Sequence, residues 1–345
     1  MLTIRKTCLL MLLSVAFFCE AQAQEFVQNV SNKGTVGAAF LEIGIGARAE
    51  AMGGAYAAEA GRAEMIYWNP AGLAYINGMA ASFTHARWLA ETNFDFIGIA
   101  APLPFFNAVV AASFTTLGVP EQEVRTVEAP EGTSEFYDAR DFAVNMAVSS
   151  RLIDAFSVGV SGKYINQRIW TESASQVAFD VGVYYQTPLD GLQIGSSISN
   201  IGNDLRLSGR HLNDIIDPDR ENMGVDNIPV LYKTDGAPLP QIFRFGIAYE
   251  TSLPGKGLLV SMVDLMHPTG STESMSFGME YGFNELLFLR GGYQNLYERD
   301  HINGLTLGGG IQFLLPSRSR FQFDYAWSNW GILEKVHRIS MGIYM

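Results

Sequence analysis

The stretch SMSFGMEYGF, residues 274–283, alternates large apolar side chains with small or polar ones. Successive side chains of a β-strand point to opposite faces, whereas helical side chains repeat about every 3.6 residues. The same alternation occurs in RFQFDYAW (320–327) and in HRISMGIYM (337–345). The pattern therefore predicts β-strands that have one apolar face and one small or polar face.

Segments of this kind recur along most of the chain, and we count about fourteen. They are residues 79–89, 93–102, 107–117, 139–150, 155–169, 175–188, 190–199, 242–252, 257–266, 273–282, 285–293, 302–315, 319–329 and 335–345. Most have the length of about ten residues that a tilted strand needs to cross a bilayer. Their even number and their alternating short and long connections are typical of outer-membrane barrels. The longest connections are residues 118–138 and 200–241.

The composition is consistent with a barrel. Hydrophobic residues make up 48% of the chain and charged residues 17%, and there are 35 glycines. After the N-terminus, no apolar run reaches the roughly 18 residues of a membrane-spanning helix. We therefore predict an all-β fold, a transmembrane antiparallel β-barrel at residues 77–345. An even number of strands leaves both termini on one side of the membrane, which we predict to be the periplasm. Aromatic residues near strand ends are expected to form interfacial girdles: Trp88, Trp170, Trp327, Trp330 and Tyr344.

The first 23 residues, MLTIRKTCLLMLLSVAFFCEAQA, have the features of a secretory signal peptide. A charged start precedes an apolar core, and Ala21-Gln22-Ala23 supplies a cleavage site. Cleavage before Gln24 removes both cysteines of the chain, so no disulfide framework is predicted. It also changes the net charge from −12 to −13. An acidic exported protein is not expected to bind nucleic acid, which requires a basic face.

Residues 44–49, GIGARA, match the glycine pattern of a dinucleotide-binding turn. That interpretation requires a strand, a helix and a second strand within about 30 residues, and no such unit follows. We therefore expect no Rossmann fold and no cofactor. The five histidines are scattered, no zinc motif is present, and no catalytic set can be nominated. Neither an enzymatic site nor a metal centre is predicted. The acidic stretch 214–226 has oxygen ligands for calcium but lacks a calcium-loop spacing, and a solvated loop is favoured.

A segment rich in small residues precedes the first strand. We predict that residues 24–76 form a plug, or hatch, inside the lumen or across its mouth. Glycine permits positive φ, and proline presets φ at a helix start. The candidate contact residues of the plug are Arg48, Gly53, Gly54, Trp68, Asn69 and Pro70. The alternation also predicts inward charges, expected to pair with each other or with the plug. These lumen charges are Lys163, Asp180, Arg244, Glu280, Asp324 and Arg338.

Two stretches of the plug, AFLEIGIGARAEAMGGAYAA (39–58) and MIYWNPAGLA (65–74), are similar to the N-terminal signature of the PorV/PorQ family. That family is related to the FadL-type outer-membrane barrels. The resemblance implies a role in type IX protein secretion, in which some members bind the C-terminal signal domain of exported cargo and others are auxiliary components. The implied partners are secreted proteins and other secretion components, besides outer-membrane lipid.

Two other functions remain open. A FadL-like channel would take up small hydrophobic molecules, whereas a structural barrel would bind no ligand. Inward faces rich in glycine, serine and charge argue against an apolar conduit, and long outer loops favour protein partners. The sequence therefore favours the secretion role.

Overall fold

The computed structural model describes residues 33–345 except 104–105, 217–227, 256, 299–301, 303 and 316–318. The predicted signal peptide and the cleavage site before Gln24 lie outside these residues. Fourteen antiparallel strands form a closed barrel, which confirms the predicted fold class. The barrel strands are β1 (Ala80–Arg87), β2 (Asn93–Leu103), β3 (Ala108–Glu123), β4 (Phe136–Ile153), β5 (Phe156–Ile169), β6 (Glu172–Gln186), β7 (Leu192–Gly202), β10 (Ile242–Leu253), β11 (Gly257–Pro268), β12 (Ser274–Phe283), β13 (Leu287–Leu296), β14 (Leu305–Leu314), β15 (Arg320–Asn329) and β16 (Lys335–Tyr344).

The barrel closes between its first and last strands. Ala80 pairs with Tyr344 and Arg87 with His337 in an antiparallel register. The first strand therefore starts, and the last strand ends, at the same end of the barrel. We call this the short-turn end, because all six connections there span five residues or fewer. At one of them, Asn284 and Glu285 both have φ of 54°, the left-handed conformation that tight hairpin turns require.

The wall is uneven in height at the opposite, long-loop end. Strands β3 to β6 have 14 to 18 residues, whereas β1 has 8. The predicted loop 118–138 is therefore too long, since its two ends continue β3 and β4. The predicted loop 200–241 also contains a separate hairpin of β8 (Asn213–Ile216) and β9 (Ile228–Leu231). Its strands are four residues long, which is too short for a clear alternation in the sequence.

The outer surface of the barrel carries the apolar residues of the alternating pattern. Phe114, Phe142 and Tyr164 stack across three neighbouring strands, with ring centroids 6.0 and 6.2 Å apart. The girdle prediction is wrong for three other aromatic residues. Trp88 and Trp330 pack against each other, 5.0 Å apart, beside the buried core. Tyr344 accepts a hydrogen bond from plug residue Arg62.

Residues 37–76 lie inside the barrel as short turns and helices. Their elements are a 3₁₀ turn (Ala39–Glu42), helix α1 (Ala47–Ala51), helix α2 (Met65–Trp68) and a second 3₁₀ turn (Pro70–Tyr75). Their apolar side chains supply 16 of the 34 buried residues in the hydrophobic core. Within the described residues, no helix combines the length and apolar character needed to span a membrane.

Candidate functional site

Inward-facing glycines of the wall surround the plug. A Cβ atom at Gly159 would lie 2.3 Å from the carbonyl carbon of Pro70, and one at Gly195 would lie 2.0 Å from the carbonyl oxygen of Ala57. Five further wall glycines have plug atoms within 3.0 Å of the Cβ that they lack. These are Gly182, Gly246, Gly278, Gly292 and Gly308. Plug backbone therefore touches wall backbone on several strands, an approach that only glycine permits.

Inward-facing hydroxyls satisfy the backbone of the plug. Ser149 and Ser157 both donate to the carbonyl oxygen of Ala71, at 3.1 and 2.9 Å. Ser197 donates to the carbonyl of Trp68 at 2.9 Å. Buried backbone groups without partners are costly, so these serines stabilise a plug that has little regular structure. The glycine and serine content of the inner wall thus complements the plug.

A buried aspartate anchors the middle of the plug. Asp264 of β11 accepts hydrogen bonds from the backbone N–H groups of Tyr56 and Ala57, both at 2.8 Å. Asp264 was not among the residues nominated from the sequence. The alternation of β11 could have identified it, because Asp264 shares the inward face of that strand with Val260 and Met262.

Arg48 joins the plug to the wall through buried ion pairs. Its Nε lies 2.7 Å from Glu280 Oε2, and its Nη1 lies 2.5 Å from Glu59 Oε2. Arg290 of β13 also pairs with Glu280, and it reaches Asp324 Oδ1 at 2.6 Å. Two predicted lumen charges, Glu280 and Asp324, therefore belong to one network with Arg48. Arg290 and Glu59 complete it, and neither was nominated from the sequence.

Arg338 and Lys163 make separate contacts. Arg338 Nη1 lies 2.7 Å from Glu50 Oε2 of α1, an ion pair whose angles fall short of hydrogen-bond geometry. Lys163 Nζ lies 3.0 Å from Asp180 Oδ2 and donates to Asn200 Oδ1 at 2.7 Å. Asp180 and Asn200 lie at a β-bulge between β6 and β7. Asn200 Nδ2 donates to the carbonyl of Pro240 at 2.7 Å, which ties the end of the 203–241 connection to the wall.

The other candidate plug residues maintain its conformation. Asn69 donates to the carbonyl oxygens of Ala57 and Val183 and accepts from the N–H of Ala71. Pro70 starts the second 3₁₀ turn. The Trp68 indole N–H donates to the carbonyl of Ile45 at 2.9 Å.

The Gly53-Gly54 pair makes the sharpest reversal of the plug. These glycines have φ of 69° and 70°, and a Cβ at Gly53 would lie 2.6 Å from the carbonyl oxygen of Phe277. Both the backbone conformation and the close approach therefore require glycine at position 53.

Above the plug, at the long-loop end, lies an open cavity of about 470 Å³, which we call the cup. Its floor includes Gly44, Gly53 and Gly54 of the plug. Its walls are mainly aromatic and aliphatic: Phe40, Tyr67, Trp68, Trp88, Leu117, Ile242, Met266 and Trp330. Such a volume lies within the range of roughly 300–1,000 Å³ typical of small-molecule sites. The structure thus combines a lumen that contains the plug with a largely apolar recess, which also has charged lining residues such as Lys33, Glu42 and Glu50.

Arg244 lies at the side of the cup and is 2% exposed. Its guanidinium carbon lies 5.3 Å from the ring centre of Tyr67 and 5.4 Å from that of Trp68. Burial raises the pKa of Tyr67 to about 12, so its hydroxyl is neutral at physiological pH. That hydroxyl donates to the carbonyl of Leu41 at 3.2 Å.

A metal site is not evident in the described part of the chain, where no three His, Cys, Asp or Glu side chains are suitably grouped. Most of the acidic stretch 214–226 lies outside the described residues, so the preference for a solvated loop over a calcium site stays a prediction.

No protein-family model and no curated protein matches the sequence. Solved structures do match. The chain is similar to the toluene transporter TodX of Pseudomonas putida, with 13% identity, a TM-score of 0.54, and coverage of 87% of this chain and 97% of TodX. The toluene transporter TbuX of Ralstonia pickettii gives 14% identity and a TM-score of 0.52 over 87% of this chain and 97% of TbuX.

A FadL homologue of Pseudomonas aeruginosa gives 11% identity and a TM-score of 0.51 over 86% of this chain and 96% of its own. The described neighbours are outer-membrane barrels, and two of them are named as transporters. At these identities the likeness concerns the fold. This chain has the fold of the FadL-type outer-membrane barrels.

Proposed function

We propose that this protein is a plugged outer-membrane barrel that binds small hydrophobic molecules in the cup and passes them toward the cell. The observation that carries the proposal is the cup itself, an apolar recess of about 470 Å³ above a tightly packed plug. The fold shared with two toluene transporters supports it. The proposal includes a plug of residues 24–76, a barrel of residues 77–345 and a signal peptide of residues 1–23.

This proposal replaces the sequence argument against an apolar conduit. From the sequence, the glycine and serine of the inner wall are expected to line an open lumen. These residues contact the plug instead, as Gly195 and Ser197 illustrate. The surface offered to a ligand is the cup, which is lined by side chains such as Phe40 and Met266.

A charge in the cup tests the proposal. Met266→Glu should weaken binding of naphthalene to the protein in lipid nanodiscs, because a carboxylate makes the recess polar. We expect a loss of about tenfold, which corresponds to roughly 1.4 kcal/mol. Val127→Glu is the matched control, since Val127 is 99% exposed in the β3–β4 connection. Equal naphthalene binding by both variants and the unaltered protein would contradict a role for the cup.

A second candidate function is the PorV/PorQ type role in type IX secretion. The β8–β9 hairpin favours it, because its apolar residues Ile215 and Leu231 are 62% and 67% exposed. Isolated two-stranded hairpins are marginal in water, so a protein surface covering this one is consistent with the role. The two ends of the 203–241 connection are less accessible, since Leu205 and Leu239 are buried.

Removal of residues 213–232 alone separates the two functions. It leaves the buried ends of the connection in place. A cargo role predicts that secreted proteins with a shared C-terminal β-sandwich domain co-purify with the full chain and are lost from the trimmed one. Naphthalene binding in the cup should be the same in both.

A further inference from the structure

Five buried cationic side chains of the structure differ in whether a carboxylate lies beside them. Arg48, Arg290, Arg338 and Lys163 each lie within ion-pair distance of a buried carboxylate. Arg244 is equally buried, yet no described carboxylate oxygen lies within 4.0 Å of its nitrogens. Its contacts are neutral: Ser199 Oγ at 3.3 Å from Nη1 and Tyr67 Oη at 3.5 Å from Nη2. Its Nε has no hydrogen-bond partner.

A buried charge without a counter-ion is destabilising. Stacking on Tyr67 and Trp68 compensates in part, since cation–π contacts contribute about 0.5–2 kcal/mol. Arg244 lines the cup, and its contacts with Ser199 and Tyr67 use two of the five N–H donors of a guanidinium group. Thr272 of the β11–β12 connection lines the same cavity, and its Oγ1 also has no hydrogen-bond partner. Both groups are suited to an anionic acceptor.

The other charged side chains of the cup do not form a close ion pair with Arg244. Lys33 pairs with Glu298, and Glu50 pairs with Arg338. Glu42 is exposed in the cup beyond ion-pair distance of Arg244. Partial desolvation by the surrounding cup raises the pKa of Glu42, while the positive charge of Arg244 lowers it. A ligand anion would therefore compete with Glu42 and Asp264, which interact with the charge of Arg244 from beyond ion-pair distance.

We infer that the ligand of the cup is a compact organic carboxylate, whose charged group becomes the counter-ion of Arg244. Its apolar body lies against the ring surfaces of Phe40, Trp88 and Trp330 across the cup. A flat ring system fits these surfaces, and the closed floor of plug backbone favours a short molecule. The inference rests on the proposed function and narrows its ligand class, because a neutral hydrocarbon would leave Arg244 unpaired.

The test compares 1-naphthoate with naphthalene, which lacks the carboxylate. Equilibrium dialysis against the full chain in nanodiscs, corrected with empty nanodiscs, measures both affinities. We expect 1-naphthoate to bind more tightly by about tenfold or more, as charge-assisted hydrogen bonds predict. Arg244→Gln should abolish that preference, because the charge-assisted contact is lost.

Glu42→Gln provides a second variant that does not remove a buried charge. It should strengthen 1-naphthoate binding at least about twofold, because a like charge no longer opposes the ligand. Unchanged 1-naphthoate affinity in both variants would overturn the inference. Tighter binding of palmitate than of 1-naphthoate would overturn the inference that the ligand is compact.

The outcomes separate this inference from the proposed function. If naphthalene binds and 1-naphthoate has no advantage in the unaltered protein, the inference fails and the hydrophobic site stands. If neither compound binds, both fail.

Discussion

At the scale of single residues, Glu64 shows how the plug depends on pH. Its side chain is buried, and its Oε2 has no hydrogen-bond partner. Burial raises the pKa of Glu64 above its ordinary value of 4.5, an effect that Arg62 opposes and Asp324 reinforces. The folded protein therefore holds this proton more tightly than the unfolded chain. This contribution to stability is complete below pH 4.5 and is lost as the pH rises through the elevated pKa.

Glu64→Gln should remove that pH dependence, because the amide is neutral at every pH. We expect the variant to lose less stability than the unaltered protein as the pH rises from about 4.5 to 8. The midpoint of heat-induced unfolding in detergent, followed by gel mobility, measures the difference. Glu128→Gln, on the exposed β3–β4 connection, serves as the control. Parallel pH curves for the unaltered protein and Glu64→Gln would exclude Glu64 as the titrating group.

At the scale of structural elements, the strands were predictable from the sequence and the contacts between wall and plug were not. Each barrel strand carries its own alternation, so a segment such as 274–283 identifies itself without knowledge of its neighbours. In that alternation, Gly195 and Gly159 cannot be distinguished from any other small inward-facing residue. Their closeness to the plug depends on residues more than 80 positions away, and no local pattern encodes that distance.

The glycine contacts give a matched pair of substitutions on β5. Gly159→Ala places a methyl group 2.3 Å from plug backbone, whereas Gly162→Ala faces outward, 3.6 Å from the Phe179 ring. Both lose glycine in a strand, but only the first forces the plug to move. Overpacking typically costs about 1–3 kcal/mol. We therefore expect a lower unfolding midpoint and faster protease cleavage within residues 37–76 for Gly159→Ala alone.

Equal behaviour of the two variants would show that the plug yields to the added methyl group without loss of stability. The plug would then be looser than its contacts indicate. Cleavage that begins in the barrel strands would likewise contradict the prediction that Gly159→Ala loosens the plug first.

At the scale of the whole molecule, the even strand number was predictable, and with it the position of the start of β1 and the end of β16 at one end of the barrel. The cup was not predictable, because its lining comes from residues far apart in the chain. Phe40 precedes the barrel, Met266 lies near the end of β11, and Trp330 follows β15. The sequence assigned Trp330 to a lipid-facing girdle, since aromatic residues near strand ends usually lie there. Closure of the barrel pairs β16 with β1, and Trp330, just before β16, then packs against Trp88, just after β1.

The last prediction concerns orientation, which the proposed uptake requires. If molecules enter through the cup, the long-loop end faces the medium and the short-turn end faces the periplasm. Both cysteines of the chain lie in the predicted signal peptide, so a single introduced cysteine reports its own position. Glu128→Cys on the β3–β4 connection should react with a membrane-impermeant maleimide on intact cells, and Asp154→Cys on the β4–β5 turn should react only after the outer membrane is permeabilised. Labelling of Asp154→Cys alone on intact cells would place the cup on the periplasmic side and rule out uptake through it.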